Sequence, residues 1–355
     1  MGVFHIRKYI KGANDSMGVK LSILDQSPVF EGDTAAIAFQ NTIELVQLAE
    51  ALGYHRFWVS EHHDSDQVAG SSPEVLISYL LARTQSIRIG SGGIMLQHYS
   101  PYKVAENFNV LATLAPGRVD LGVGRAPGGL PRSTKALQQG ITETPSLEHK
   151  LEELEQLIHN QLDDDHPQSG LRATPNPVQP AELYLLGASV SSAESAADLG
   201  LPYVFAQFIN SDPMIAENAF AAYRNRFNRS KGTEPQLILA LSVIIANTDE
   251  EANELAGEQK LIKVHLDSGK SVTLGTIEKA EEFGNQSNEG YRIDIQDAAI
   301  VKGSKETVRQ HLLNLQQQYG IEEFVVTTAI KDFSKRIHSY KLLKEAFSEV
   351  LVEGE

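Results

Sequence analysis

The chain has 355 residues, 41% of them hydrophobic, with a formal net charge of −15 and no cysteine. That composition supplies a sizeable core, and no stretch approaches the uncharged apolar run needed to cross a bilayer. The acidic balance repels phosphate backbones and anionic lipid, so no nucleic-acid or membrane partner is expected, and the absence of cysteine removes disulfides, zinc–thiolate sites and thiol nucleophiles and fits a reducing cytoplasm.

Residues 1–16 lack the apolar segment and cleavage pattern of a secretory signal, and Met17-Gly18-Val19-Lys20 reads as a second start. Residues 1–18 are therefore expected to be a flexible extension ahead of a single domain over 19–350. Residues 19–24 form a β-branched and apolar run, strand one, ending in the polar turn Asp25-Gln26-Ser27-Pro28. Leu45, Leu48, Ala49 and Leu52 then fall at helical spacing before Gly53, and strand two follows at 56–60. Pro73 opens a helix, 87–94 is strand three, Pro101 opens another helix to about 114, and 118–123 is strand four.

After a longer polar loop, 147–159 reads as helix, 183–186 as strand five, a short helix from about 191 ends at Gly200, and 203–206 is strand six. Helix 213–227, strand seven at 237–246 and helix 250–264 follow. Residues 268–298, rich in Gly, Ser, Asn and charge, carry no convincing period and read as an inserted excursion or lid over one barrel face. Ser304 caps a helix with the stripe Val308, Leu312, Leu315 and Tyr319, Gly320 ends it, 323–328 is strand eight, and Phe333, Ile337, Tyr340, Leu343 and Phe347 mark a last helix. Eight strands alternating with helices, with no glycine fingerprint after strand one, predict a closed (β/α)8 TIM barrel rather than a doubly wound sheet.

In such a barrel, polar groups just beyond the carboxyl end of a strand face the active site. The run Phe57-Trp58-Val59-Ser60-Glu61-His62-His63-Asp64 is the leading candidate, a short apolar strand delivering two histidines between carboxylates. With a side-chain period of two, at most one of His62 and His63 looks straight into the pocket. A metal site would need ligands from other elements, and no second His/Asp cluster of ligand spacing exists in the sequence, so no metal is expected. A purely structural histidine pair is the bland alternative.

Strand three ends in Gly90-Ser91-Gly92-Gly93-Ile94-Met95, where paired glycines admit either a flat ligand or a barrel bulge. Strand four ends in Gly122-Val123-Gly124-Arg125-Ala126-Pro127-Gly128-Gly129, with one arginine suited to a phosphate or carboxylate. Strand five runs through Gly187-Ala188-Ser189-Val190-Ser191-Ser192 directly into a helix, so amides, hydroxyls and the positive end of the helix dipole converge as a phosphate cradle or as an ordinary serine cap.

As a set, the segments 58–63, 90–95, 116–128 and 187–202 resemble the bacterial luciferase-like flavin monooxygenases, in family order and register, with the likeness spanning about 19–345. The closest kinship is to single-chain members with an Asp-Gln-Ser-Pro first strand. The resemblance implies a (β/α)8 barrel that takes reduced FMN from a separate NAD(P)H:flavin reductase and uses dioxygen to oxidise a small organic substrate. It places His62 at the active-site histidine, Gly92 and Gly93 at a cis peptide beside the flavin, Arg125, Ser189 and Ser192 at the phosphate, and Glu61, Gly187 and Ala188 at the cofactor. Asp25, Gln26 and Met95 are expected on the substrate side from their places at strand ends. Gly124 stands where luciferase carries a reactive cysteine, so the resemblance does not extend to light emission. It further implies a homodimer or higher homo-oligomer through helices near 73–115. The alternatives are an F420-dependent hydride-transfer enzyme on the same fold and a flavin-binding protein without turnover.

Overall fold

The eight predicted barrel strands pair in parallel, each with its neighbours, in a closed ring. The computed structural model describes residues 18–141 and 145–348, so the expected extension lies, apart from Gly18, outside the described residues. The first half follows the expected beat: β1 (Lys20–Asp25), α1 (Ala35–Ala51), β2 (Arg56–Val59), α2 (Pro73–Ala82), β3 (Arg88–Ile94), α3 (Pro101–Leu114) and β4 (Val119–Val123). Then come α4 (Pro131–Leu137), α5 (Leu147–Ile158), β5 (Glu182–Gly187), α6 (Val190–Asp198), β6 (Tyr203–Ala206), α7 (Pro213–Arg226) and β7 (Leu237–Ile245). The remainder is α8 (Asp249–Ala256), β8 (Lys260–Leu266), β9 (Ser271–Leu274), α9 (Ile277–Ser287), β10 (Tyr291–Asp297), β11 (Ile300–Gly303), α10 (Lys305–Tyr319), β12 (Glu323–Thr327) and α11 (Phe333–Ser348).

Strands β1 to β7 and β12 close the barrel, with β12 bonded to both β7 and β1. Alternation sorts the side chains. Leu24, Trp58, Tyr184, Val204, Ile238, Ala240 and Val325 fill the interior, while Leu21, Ile23, Phe57 and Val59 face the helices in the larger core between the barrel and its outer layer.

Charged side chains at the starts of the strands plug the opposite end of the barrel. Arg56 Nη1 donates to Asp120 at 2.9 Å and to Tyr184 OH at 2.6 Å, its Nε lies 2.8 Å from Glu323, and Trp58 Nε1 donates to Asp120 at 2.9 Å. Arg88 holds the other Asp120 oxygen, and Ser22 donates to Glu323 at 2.6 Å. A network of this kind at the amino-terminal face of the barrel serves stability.

The second half departs from the sequence reading in one region. Helix 250–264 is expected, but α8 stops at Ala256, where Gly257 turns at φ 53°, and Lys260–Leu266 becomes a strand. Its alternation buries Ile262 and Val264 on one side and leaves charge on the other. The excursion at 268–298 is not irregular: β8, β9 and β10 form an antiparallel sheet, order β10-β8-β9, with α9 capped by Thr276. This subdomain packs Ile262, Val264, Ala280 and Phe283 against Leu130, just before α4, a helix the polar loop concealed. Arg132 of α4 donates to Asp64 after β2 and, at 2.7 Å, to Glu282 of α9, tying the insertion to the histidine loop. Among the described residues no helix is long and apolar enough to cross a membrane.

Candidate active site

The carboxyl ends of β1 to β5 bring most of the candidate residues to one mouth of the barrel. Arg56 and Trp58 point into the barrel, and Ser60 and His62 continue that parity beyond β2. Ser60 Oγ lies 3.1 Å from His62 Nδ1, and the His62 amide donates to Gly70 O at 2.8 Å. Burial holds the partly exposed His62 imidazole down to about 4, against the pull of Glu61, so it is a neutral base at physiological pH.

Glu61 and His63 take the opposite parity. Glu61 is fully buried, and its carboxylate accepts from His63 Nε2 and Tyr99 OH, both at 2.7 Å on Oε1, and from the Met95 amide at 2.9 Å on Oε2. Burial, reinforced by Glu61, raises the Tyr99 hydroxyl well above its ordinary range, and burial likewise raises Glu74. The Glu61 carboxylate is thus held by the β2 and β3 ends. His98, 2% exposed, donates from Nε2 to Pro127 O at 2.8 Å, and Lys150 Nζ caps the carbonyls of Leu96, Gln97 and Tyr99, so the β3–α3 connection is pinned from below. Gln97-His98-Tyr99 is a polar run immediately after a barrel strand, which is the signal that could have drawn attention to Tyr99.

The Gly92–Gly93 peptide is cis. Both glycines are required by the barrel wall itself: a Cβ on Gly92 would sit 2.8 Å from Leu24 Cδ1, and one on Gly93 would sit 2.8 Å from Gly122 O, at the irregularity where β3 slips against β4. Gly124, by contrast, has room, since a Cβ there would meet only Met95 Sδ at 3.8 Å. Met95 is 8% exposed and lies against Gly124 and Gly128 at the mouth.

Ser189 caps α6, accepting from the Ser192 amide, while Ser192 Oγ donates to Ser189 O at 2.8 Å and lies 2.9 Å from Tyr203 OH. The Ser192 hydroxyl is thus committed to a capping box. A Cβ on Gly187 would strike the Ser192 side chain, and Ala188 O accepts from Asn210 at 3.0 Å. What remains open toward a ligand is exposed Ser189 and the first-turn amides of Val190 and Ser191, which have no intrahelical acceptor. Arg125 reaches the same helix through Glu148, which binds both the Arg125 guanidinium and, at 3.1 Å, Ser195 Oγ. The donor set fits a phosphate monoester: one arginine, free amides and a helix dipole.

Asp25 does not join this mouth. Its parity turns it outward, where Thr42 of α1 donates to it at 2.6 Å, Ser27 N at 3.2 Å, and Arg336 of α11 lies 4.0 Å away. Gln26 is half-buried at the end of β1, on the parity of inward-facing Leu24. No group of three or more His, Cys, Asp or Glu able to hold a metal occurs among the described residues.

A polar mouth at the carboxyl ends of a closed parallel barrel defines a (β/α)8 enzyme. The family model described as luciferase-like monooxygenase matches residues 19–322, and the chain belongs to that family of oxidoreductases acting with dioxygen. It is 45% identical to the N-acetyl-S-alkylcysteine monooxygenase of Bacillus subtilis over 92% of this chain and 98% of that one. The crystal structure of apo-MsnO8 is 37% identical, with a TM-score of 0.76 over 94% of this chain and 98% of that one. Two more distant structures share the fold alone. One is the oxygenating constituent of 3,6-diketocamphane monooxygenase of Pseudomonas putida in complex with FMN, at 17% identity and TM-score 0.68 over 94% and 100% of the two chains. The other is an F420-dependent secondary alcohol dehydrogenase, at 16% and 0.60 over 93% and 99%.

Proposed function

We propose that this protein is an FMN-dependent monooxygenase that takes reduced FMN from a separate reductase and oxidises a small organic substrate. The observation that carries the reading is the convergence, at one barrel mouth, of inward-facing His62 with the open amides of α6 and Arg125. The flavin, when bound, supplies the activation of dioxygen. The chain's own residues do the rest. Arg125, Ser189 and the α6 amides hold the phosphate, and the β3 and β4 ends with Met95 and Gln26 wall the cavity and exclude water. His62, neutral and with Nε2 free of described partners, accepts and returns a proton there.

The B. subtilis relative makes N-acetyl-S-alkylcysteines the first substrates to test. Val75, Tyr79, Val110 and Leu114 lie exposed on α2 and α3, which supports homo-oligomer contact through these helices. The F420 alternative has only likeness of fold behind it. Anaerobic titration with reduced FMN and with reduced F420 tests the reading: FMN binding at least about tenfold tighter supports it, and the reverse order overturns it.

A further inference from the structure

The carboxylate of Glu61 has no surface open to a ligand, yet it lies between the histidine pair and the β3 end. Its oxygens divide the work. Oε1 accepts from Tyr99 OH and His63 Nε2, and Oε2 accepts from the Met95 amide. An ionised carboxylate is an acceptor only, so His63 carries a proton on Nε2, and in the neutral ring Nδ1 is then the acceptor. His63 Nδ1 bonds to no described residue. The ring itself is held in place. Its amide donates to Gly128 O at 2.7 Å, its Cδ2 would lie 3.5 Å from a Cβ on Gly128, and its side chain is 11% exposed. Two loops are thereby locked to one another and to one imidazole tautomer.

We propose that Glu61 is a positioning residue for the monooxygenase reaction, fixing the Nε2–H tautomer of His63 so that Nδ1 of the neutral ring is the proton acceptor beside the Gly128 loop. It acts through His63 and the Met95 amide rather than by touching the cofactor, and the proposal rests on the flavin reading above for the reaction it serves. His62 and His63 then divide the proton handling between the two faces of the β2 end. A carboxylate that fixes an imidazole tautomer is worth orders of magnitude in rate when the imidazole handles protons, because the wrong tautomer presents N–H where a lone pair is needed.

Glu61→Gln is the informative substitution because it keeps the shape while reversing the donor and acceptor roles at one oxygen. The amide oxygen accepts from Met95 N, and the amide nitrogen donates to Tyr99 OH and to His63 Nε2, which must then give up its proton to Nδ1. The full-length protein labelled with nitrogen-15 at histidine reports the tautomer directly, with the His63 signal assigned by a His63→Gln variant. The expected result is an Nε2–H tautomer in the wild type and Nδ1–H in E61Q. Reduced-FMN affinity should stay within about twofold, and turnover of N-acetyl-S-methylcysteine should fall about a hundredfold or more. An unchanged tautomer overturns the proposal, as does a flipped tautomer with unchanged turnover. So does a large loss of FMN affinity at intact tautomer, which would make Glu61 a cofactor ligand instead. If the wild type itself neither binds reduced FMN nor turns over the probe, it is the flavin reading that fails, and the tautomer measurement still decides what Glu61 does to His63.

Discussion

Asp120→Asn should destabilise the protein by about 3 kcal/mol while leaving the ligand mouth intact. Asp120 is fully buried and accepts from four donors: Arg56 Nη1 and Trp58 Nε1 on one oxygen, Arg88 Nε and Nη2 on the other. Asparagine keeps one acceptor and turns an amide N–H₂ toward a guanidinium, so one set of donors is left facing donors, and Arg56 retains only Glu323 as a charged partner. Removing one member of a buried ion pair costs about 3 to 5 kcal/mol. The lower end applies because Arg88, 18% exposed, already holds Glu182 at 3.0 Å and Gly117 O at 2.7 Å and keeps both without Asp120. Urea denaturation of wild type and D120N, with FMN affinity measured alongside, checks this. A loss under about 1 kcal/mol, or a collapse of FMN affinity at unchanged stability, would refute the assignment of this network to the barrel floor.

The half-buried His62 imidazole, held at about 4 against 6.5 in an exposed histidine, binds fewer protons in the folded than in the unfolded chain between those values. Stability therefore falls as pH drops from about 6.5 to 4, by up to about 3 kcal/mol from this group, and the stability difference between wild type and His62→Gln should narrow by that order over the same window. A pH-independent difference in urea titrations would contradict the burial of His62. Glu148, beside Arg125 and Ser195, places a carboxylate against the proposed phosphate grip, so Glu148→Gln should raise FMN affinity about fivefold and leave riboflavin, which has no phosphate, unchanged. Equal effects on the two flavins would remove Arg125 from the phosphate site.

The barrel was legible because each strand is a short apolar run broken by a polar turn, with Gly53 and Gly320 marking helix ends where the chain turns at positive φ. The mouth was legible for the same reason: His62, Arg125 and Ser189 stand directly beyond strands. What the residues alone did not disclose falls into two kinds. Direction at a strand end depends on one residue of parity, which sends Asp25 out to Thr42 and Arg336 and sends Glu61 behind the mouth. Partnership depends on contacts far along the chain, as when Arg56 meets Glu323 across 267 residues or Glu61 meets Tyr99 across 38. The segment 260–297 misled for a local reason. Lys260-Leu261-Ile262-Lys263-Val264 suits a helix stripe as well as an alternating strand, and only the pairing of β8 with β9 and β10 decides between them.

The proposed reaction has the chain use reduced FMN to transfer an oxygen atom from dioxygen to a small organic substrate. It is tested most directly by supplying the protein with chemically or enzymatically reduced FMN, N-acetyl-S-methylcysteine and oxygen-18 gas, and reading the product by mass spectrometry. One labelled oxygen atom is expected in the substrate-derived product, dependent on FMN and lost in His62→Ala that still binds the flavin. Substrate oxidation under strict anaerobiosis with F420, with no label from dioxygen in the aerobic sample, would contradict it.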